Sequence, residues 1–295
     1  MNPATLPKAE PVVPAYIPCH PKDLAMLPFC VASLRRHPQV GEISVIAPSV
    51  VAPVCAELGV RFLEESSLLA HWFPPDLDDQ DNRWYYQMLL KLRVAFLDQD
   101  APGRFLIIDA DTVFLHNFPL IDEATDTVLH ARLERHDVPY YNGIEALFGH
   151  PVPYVGSYTS HFMVYRSPIV RAMFAEFARV QMRPPEEGLE VLRAFLRRCD
   201  RDTLSFSDYE TYGHFAREHF PNEMRLVPRE QLNVLYVAPS DRVLRRLVPY
   251  YDYASFHAYR RPDRLALKVA GGGWLALRLL RDRLGGRLRP GSGAG

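Results

Sequence analysis

The stretch FLIIDADTVFL, residues 105–115, decides the fold of this chain. Its apolar run, residues 105–108, is the strongest strand pattern in the sequence, and it ends abruptly at Asp109 and Asp111. In open α/β sheets, ligands bind beyond the carboxyl ends of the strands, where the loops diverge and leave a crevice. Side chains two positions apart in an extended chain point the same way. We therefore predict that both carboxylates face one ligand at this edge.

Strand and helix patterns alternate before this stretch. The strand patterns are 12–19, 43–47 and 60–63, and the helix patterns are 23–36, 50–58 and 84–97. The pattern is looser after it, with further strands and helices at 127–131, 162–165, 169–180 and 189–198. Such alternation predicts a parallel sheet with right-handed crossovers. The fold class we predict is α/β, with a mixed, mainly parallel central sheet flanked by helices.

The composition excludes several classes of protein. The 295 residues include 34 Lys and Arg against 35 Asp and Glu, which gives no electrostatic reason to expect nucleic-acid binding. A hydrophobic content of 48% excludes disordered and fibrous chains. The four dispersed cysteines form no zinc-binding pattern, and no apolar run resembles a signal or a membrane span. We therefore expect a cytoplasmic protein with reduced thiols.

The C-terminal stretch is basic and amphipathic. Residues 265–288 combine Trp274 and several leucines with Arg278, Arg281, Arg283 and Arg287. One interpretation is a weak peripheral contact with the inner face of an anionic membrane. The other is a solvated surface helix, which the glycines at 271–273 would interrupt. We divide the chain into a main domain at 12–262 and a basic C-terminal helix with a flexible tail at 263–295.

Asp109 and Asp111 suit a hard divalent cation. Mg²⁺ or Mn²⁺ accepts two carboxylates and keeps its other positions for water and substrate phosphate oxygens. A surface turn with two solvated carboxylates is the alternative, because the D-x-D pattern is short. The position directly after an apolar strand favours the metal site.

The D-x-D region resembles that of GT-A fold glycosyltransferases. The matching segments are WYYQMLLKL at 84–92, FLIIDADTVFL at 105–115, SHFMV at 160–164, FSDYETYG at 206–213 and SFH at 255–257. Their order over most of residues 12–262 is similar to a poorly characterised bacterial glycosyltransferase-like family of that fold. A more distant similarity is to the glycogenin-like group, in whose pattern Lys91 and His257 match a lysine and a late metal-binding histidine. Residues 258–262, AYRRP, depart from that group's phosphate-clamping loop.

This resemblance implies a Rossmann-like GT-A domain and a hexosyltransferase-like enzyme. The reaction implied is transfer of a sugar from a nucleoside diphosphate donor, with a UDP-sugar favoured, to a glycan or other glycoconjugate acceptor, as in polysaccharide biosynthesis. Mn²⁺ or Mg²⁺ would be held by Asp109, Asp111 and His257, and it would stabilise the charge that develops on the leaving diphosphate.

The resemblance also gives candidates for donor binding. They are His20, Lys22, Asp23, Arg83, Lys91, Asp109 and His161. The first three would border the base or ribose, Arg83 and Lys91 would offset diphosphate charge, and His161 would contact the donor sugar or the acceptor. The alternatives are a helix cap for Asp23, a solvated helix lysine for Lys91 and a backbone hydrogen bond for His161.

Asp208 and Glu210 are the candidates for a catalytic base. Ser207, followed three residues later by Glu210, also fits a helix N-terminal capping box, in which both carboxylates serve only the helix. In the functional alternative, one carboxylate removes the proton of the acceptor hydroxyl.

Two other functions compete. The sequence DADTV at 109–113 also fits the nucleophile motif of haloacid-dehalogenase-type phosphatases, with Asp109 phosphorylated. That family places the motif on its first strand and needs a later lysine, whereas the only lysine after this motif is Lys268. The second alternative is a catalytically silent protein that binds nucleotide sugars or glycans, since a fold does not imply an activity.

Overall fold

The computed structural model describes residues 12–73, 83–97, 102–133, 137–154, 156–257 and 265–285. In chain order, its strands are β1 (Val13–Pro18), β2 (Val40–Ala47), β3 (Arg61–Glu64), β4 (Arg104–Ile108), β5 (Thr112–Phe114), β6 (Ile121–Asp122), β7 (Thr127–Arg132), β8 (Phe162–Arg166), β9 (Met224–Pro228), β10 (Gln231–Leu235) and β11 (Tyr253–His257). Its helices are α1 (Leu27–Arg35), α2 (Ala52–Leu58), α3 (Glu65–Leu69), α4 (Arg83–Arg93), α5 (Val138–Phe148), α6 (Ser167–Val180), α7 (Gly188–Leu196), α8 (Asp208–His219), α9 (Asp241–Leu247) and α10 (Leu265–Leu284). Residues 258–262 and the predicted tail beyond 285 lie outside the described residues.

The central sheet has the strand order β3-β2-β1-β4-β8. The pairs from β3 to β4 are parallel, and β8 pairs antiparallel with β4. Alternate residues of β4 serve two cores: Phe105 and Ile107 pack with α4 and α6, whereas Leu106 and Ile108 pack with α1. The predicted α/β class, with a mixed, mainly parallel central sheet flanked by helices, is confirmed.

Two smaller sheets of three strands each accompany the central sheet. Their orders are β10-β11-β5 and β6-β7-β9. Strand β5 follows the D-x-D turn and pairs antiparallel with β11, so that Ser255 lies opposite Thr112. The Phe256 N–H also donates to the Asp111 carbonyl at 2.8 Å. This pairing brings His257, at the end of β11, beside the aspartates.

Local signals explain where several helices begin and end. Helix α2 ends at Gly59, whose φ of 61° is the left-handed conformation expected of a helix-ending glycine. The helix predicted at 23–36 begins only at Leu27, because Pro21–Asp23 forms a 3-10 turn. The His20 side chain accepts the Lys22 N–H in that turn at 3.1 Å, so His20 takes the capping role considered for Asp23.

Helix α10 is continuous, although an interruption was expected at residues 271–273. A Cβ at Gly271 would lie 2.6 Å from the Leu235 carbonyl oxygen, so the glycine permits close contact with β10. Leu275 is buried with Val234 in the same cluster. Tertiary packing therefore outweighs the low helix propensity of glycine here. None of the described helices is long and apolar enough to cross a membrane. The division of the chain at 262 stays a prediction.

A buried histidine should make the free energy of unfolding decrease as the pH is lowered. His130 is 1% exposed, and its Nε2–H donates to the Tyr158 carbonyl at 2.8 Å. Burial lowers its pKa to about 4, although the backbone hydrogen bond acts in the opposite direction. The unfolded chain, with an ordinary histidine pKa of about 6.5, binds more protons between these values.

We expect this histidine to cost up to about 3 kcal/mol of the free energy of unfolding as pH falls from about 6.5 to 4. Urea unfolding of His130→Gln across this range should show a flatter pH dependence than the wild type, with exposed His71→Gln as the control. Equal slopes for His130→Gln and the wild type would contradict this assignment.

Candidate functional site

The D-x-D residues lie in a turn that follows β4. The Thr112 N–H donates to the Asp109 carbonyl at 2.9 Å, so the backbone folds back immediately after the strand. The side-chain alternation of an extended chain therefore does not apply here. Asp109 contacts Lys91 and His161, whereas Asp111 contacts His257. Alternation therefore does not place these carboxylates, and the expectation that both face one ligand stays a prediction.

Lys91 is a buried ion-pair partner. Its side chain is 5% exposed, and Nζ lies 2.8 Å from Asp109 Oδ1 and 3.9 Å from Asp208 Oδ2. Nζ also lies 4.2 Å from the centroid of the Tyr209 ring. Burial acts to lower the pKa of Lys91, but the charges of Asp109 and Asp208 outweigh it and the pKa is raised. These contacts exclude the solvated-lysine interpretation.

Asp109 has contacts on both carboxylate oxygens. Oδ1 accepts from Lys91 and, at 3.3 Å, from the Tyr209 hydroxyl. Oδ2 lies 3.2 Å from His161 Nδ1. Burial acts to raise the pKa of Asp109, but Lys91 and His161 lower it well below its usual range. Asp109 is therefore a fixed anion whose oxygens are already engaged.

His161 contacts Asp109 from a strained backbone. Its φ is 65°, a conformation that is uncommon for a residue other than glycine. Its carbonyl accepts the Asp109 N–H at 2.9 Å, while its ring reaches the Asp109 carboxylate. Since unusual backbone conformations cluster at functional sites, this one marks the residue for attention. The ring contacts this carboxylate, whereas the alternative considered for His161 was a bond from its side chain to the backbone.

Asp111 pairs with His257. His257 Nδ1 lies 3.0 Å from Asp111 Oδ2, and its Nε2 lies 3.4 Å from Asn233 Oδ1. Burial acts to lower the pKa of His257, but the hydrogen bond and charge of Asp111 outweigh it, and the pKa is raised. The His161 and His257 rings are 4.9 Å apart, so this pair adjoins the Asp109 contacts.

The donor set of Asp111 and His257 fits a divalent cation. Oδ2 and Nδ1 lie 3.0 Å apart in a hydrogen bond, and a carboxylate oxygen and an imidazole nitrogen are both ligands of Mn²⁺. No three His, Cys, Asp or Glu side chains in the described ranges are grouped as a complete metal site. Mg²⁺ commonly uses one or two protein ligands together with substrate phosphates, so the pair suits such an ion.

Asp208 lies beneath the lysine. It is 0% exposed, and its Oδ2 accepts from the Tyr165 hydroxyl at 2.7 Å. Burial raises the pKa of Asp208, although Lys91 and the Tyr165 hydrogen bond act in the opposite direction. Asp208 therefore contacts Lys91 and Tyr165 from a fully buried position, and its role as a base stays a prediction.

Glu210 holds a neighbouring loop. The Ser207 hydroxyl accepts the Glu210 N–H at 3.3 Å, as a capping box predicts, but the carboxylate does not return to Ser207. One of its oxygens accepts from the Ser157 hydroxyl, from the Tyr158 N–H at 3.0 Å and from the Thr159 hydroxyl at 3.1 Å. With 2% exposure, Glu210 is placed to fix the loop that precedes His161, while its second oxygen is buried and accepts no hydrogen bond from the described residues. Its role as a base stays a prediction.

A cavity of about 1140 Å³ is lined mainly by the turn after β1 and by α4, and neither Asp109, Asp111 nor His257 lines it. It contains donor-binding candidates from two parts of the chain, namely His20, Lys22, Asp23 and Arg83. It continues along α4 past Gln87 to Leu90, the neighbour of Lys91. Asp23 is close enough to His257 for its charge to raise the histidine pKa. The structure therefore brings these four candidates together in one cavity, and among them Asp23 interacts with His257 through its charge.

Two contact residues were missed by sequence reasoning. Tyr209 lies in the FSDYETYG segment, between the two carboxylates considered as bases. Nothing in the sequence around this tyrosine predicts its contacts with Asp109 and Lys91. Asn233 reaches His257 because β10 and β11 pair in parallel, with Asn233 opposite Ser255. The chain carries no local signal for that register.

Comparison with known proteins finds no matching protein-family model and no matching curated protein. Similar solved structures include apo mouse xyloside xylosyltransferase 1, with a TM-score of 0.46 and 10% identity, covering 84% of this chain and 98% of that one. The galactosyltransferase LgtC with donor and acceptor sugar analogues has a TM-score of 0.46 and 12% identity, covering 90% and 96%. The apo bifunctional glycosyltransferase WbbM has a TM-score of 0.42 and 13% identity, and the match covers 78% of this chain and 41% of WbbM. TM-scores this low carry no argument for fold or function.

Removing the buried lysine charge should destabilise the protein. Lys91→Met leaves Asp109 and Asp208 without their shared cation, and breaking a buried ion pair in this way costs about 3–5 kcal/mol. We expect a loss of that size in the free energy of unfolding, measured by guanidinium denaturation. Lys22→Met, at an exposed lysine, is the matched control.

The double variant Lys91→Met/Asp109→Asn should lose less stability than the sum of its single variants, because it removes both partners of the close pair. Strict additivity, or a Lys91→Met variant within about 1 kcal/mol of the wild type, would show that the pair is not a stabilising contact.

Proposed function

We propose that this protein is a glycosyltransferase that moves a sugar from a nucleoside diphosphate donor to a glycan or glycoconjugate acceptor, with a UDP-sugar favoured as donor. The observation that carries the proposal is the Asp111–His257 pair, which lies at the strand edge with 3.0 Å between Oδ2 and Nδ1. A cavity of about 1140 Å³ that gathers His20, Lys22, Asp23 and Arg83 supports it. The resemblance of the D-x-D, SHFMV and SFH segments to glycosyltransferases of the GT-A fold supports it.

Asp111 and His257 would hold Mn²⁺ or Mg²⁺. When bound, such an ion acts as a Lewis acid that stabilises negative charge on phosphate oxygens. His257 would bind through Nδ1, and Nε2, which faces Asn233, would keep its proton. Asp109 would not be a direct ligand, because Lys91, Tyr209 and His161 engage its oxygens.

The remaining residues would bind and orient the donor. Lys22 and Arg83 line the cavity, and Lys22 would offset diphosphate charge, because Arg83 lies next to Trp84 at the far end of α4 from Lys91. Lys91 is committed to Asp109 and Asp208. His161 would contact the donor sugar from its position between Asp109 and His257. Asp208 and Glu210 would be positioning residues that hold Lys91 and the loop before His161.

The phosphatase alternative is weaker. An aspartate nucleophile needs an oxygen that can reach phosphorus, but hydrogen bonds or ion contacts hold both Asp109 oxygens. The motif also follows the fourth strand of the chain rather than the first. A silent nucleotide-sugar-binding protein would share the binding residues, so only turnover separates it from a transferase.

Thermal unfolding with nucleotides tests the proposal. A ligand at one hundred times its dissociation constant stabilises the folded state by about 2.7 kcal/mol, which corresponds to a rise of several degrees in Tm. We expect such a rise for UDP with Mn²⁺, a much smaller one for either alone, and none in Asp111→Ala. Asp241→Asn, at an exposed carboxylate on α9, is the control.

Three outcomes would count against the proposal. Absence of any rise with UDP, GDP, CDP or dTDP in the presence of Mn²⁺ would remove the nucleotide site. A rise that persists in Asp111→Ala would move the metal site elsewhere. Donor binding without consumption of UDP-sugars across an acceptor panel would favour the silent binding protein.

A further inference from the structure

The cavity contains a second cationic feature beyond the proposed donor residues. Arg201 lines the cavity, and its guanidinium lies 5.2 Å from the centroid of the Trp84 ring and 5.8 Å from that of Tyr85. Within the described part of the chain, no carboxylate pairs with this guanidinium. An arginine held by an aromatic face keeps its N–H edge available for a planar anion.

The backbone of Arg201 is fixed in an unusual conformation. Its φ is 68°, in the left-handed region that rarely suits a residue other than glycine. The Asp200 carboxylate accepts the N–H groups of residues 202, 203 and 204 at 3.0, 2.8 and 3.0 Å. These bonds hold the turn that carries Arg201 over Trp84. The guanidinium is therefore positioned by its loop, even though the side chain is exposed.

Aromatic surface adjoins the guanidinium. Trp84 and Tyr140 both line the cavity, with ring centroids 5.9 Å apart and an angle of 33° between the rings. Such rings offer apolar area next to polar groups, as a saccharide with apolar ring faces and polar substituents requires. Asp137 lines the same end and can accept hydrogen bonds from hydroxyl groups.

The Arg201 end is separated from the reacting end along α4. Trp84 and Lys91 lie seven positions apart on one face of the helix, which corresponds to about 10 Å. The cavity, at about 1140 Å³, also exceeds the roughly 300–1,000 Å³ of a site for one drug-sized ligand. It therefore has room for more than one ligand of that size.

We propose that the Arg201 end of the cavity is the acceptor subsite, and that the acceptor saccharide carries an anionic group, a carboxylate or a phosphate, which the Arg201 guanidinium binds. The assignment of this saccharide as the acceptor rests on the proposed glycosyltransferase function. Because Asp137 lines the same end, net charge alone would not attract an anion there. Recognition must come from direct, bidentate contact with Arg201.

Saccharide titrations in the presence of UDP and Mn²⁺ test this subsite. The probes are methyl β-glucuronide, methyl β-glucoside and glucose 6-phosphate, with binding followed by calorimetry. The wild type should bind one or both anionic probes at least about tenfold more tightly than the neutral glucoside, as expected for a hydrogen bond to a charged group. The glucuronide and the phosphate distinguish a carboxylate from a phosphate as the recognised group.

Variants at Arg201 localise the effect. Arg201→Asn, which suits the left-handed backbone, should lose this preference about tenfold while UDP–Mn²⁺ binding stays unchanged. Arg201→Lys keeps the charge but not the planar fork, and it should restore only part of the preference. Arg198→Asn, at an exposed arginine on the same segment, is the matched control and should behave as the wild type.

Several results would overturn the subsite. They are equal binding of neutral and anionic probes, no binding of any probe, an equal effect of Arg198→Asn, or a loss of UDP binding in Arg201→Asn, which would assign the arginine to the donor. Failure of the proposed function gives a different pattern: the wild type would not bind UDP with Mn²⁺, whereas the Arg201-dependent preference for anionic saccharides would remain.

Discussion

The buried contact of Lys91 with Asp109 and Asp208 ties the helix before the D-x-D turn to the end of the central strand. A charged lysine with 5% exposure is tolerable only beside opposite charge, because desolvation of an unpaired ion is costly. The contact joins α4, β4 and α8, and α4 also lines the cavity. The relative positions of the cavity wall and the strand edge therefore depend on this ion pair.

The two aspartates of the motif have different surroundings and hence different roles. Asp109 is neutralised by Lys91, and His161 and Tyr209 hold it in place. The side-chain contact described for Asp111 is with His257, which the pairing of β5 with β11 places beside it. The first aspartate thus organises the edge of the sheet, whereas the second remains suited to a cation and a phosphorylated ligand. Hydrogen bonds to Glu210 hold the loop at Tyr158 and Thr159, which leads to His161 and so to its contact with Asp109.

Features with local causes could be predicted from the sequence. The apolar run before Asp109, the glycine that ends α2 and the Ser207 cap all follow from nearby residues, and the structure has them. Long-range partners could not be predicted. Glu210 fits a capping box by spacing, yet its carboxylate bonds to a loop that is distant in sequence. The turn after β4 likewise includes a long-range bond, from the Asp109 N–H to the His161 carbonyl, so strand alternation is not a guide to its side chains.

A crystal structure with UDP and Mn²⁺, using the anomalous scattering of manganese, tests the central claim most directly. The account predicts one manganese peak between Asp111 and His257, with the diphosphate in contact with the ion and Asp109 still bonded to Lys91. A peak that lies on Asp109 with Lys91 displaced, or nucleotide bound without manganese at the Asp111–His257 pair, would contradict it.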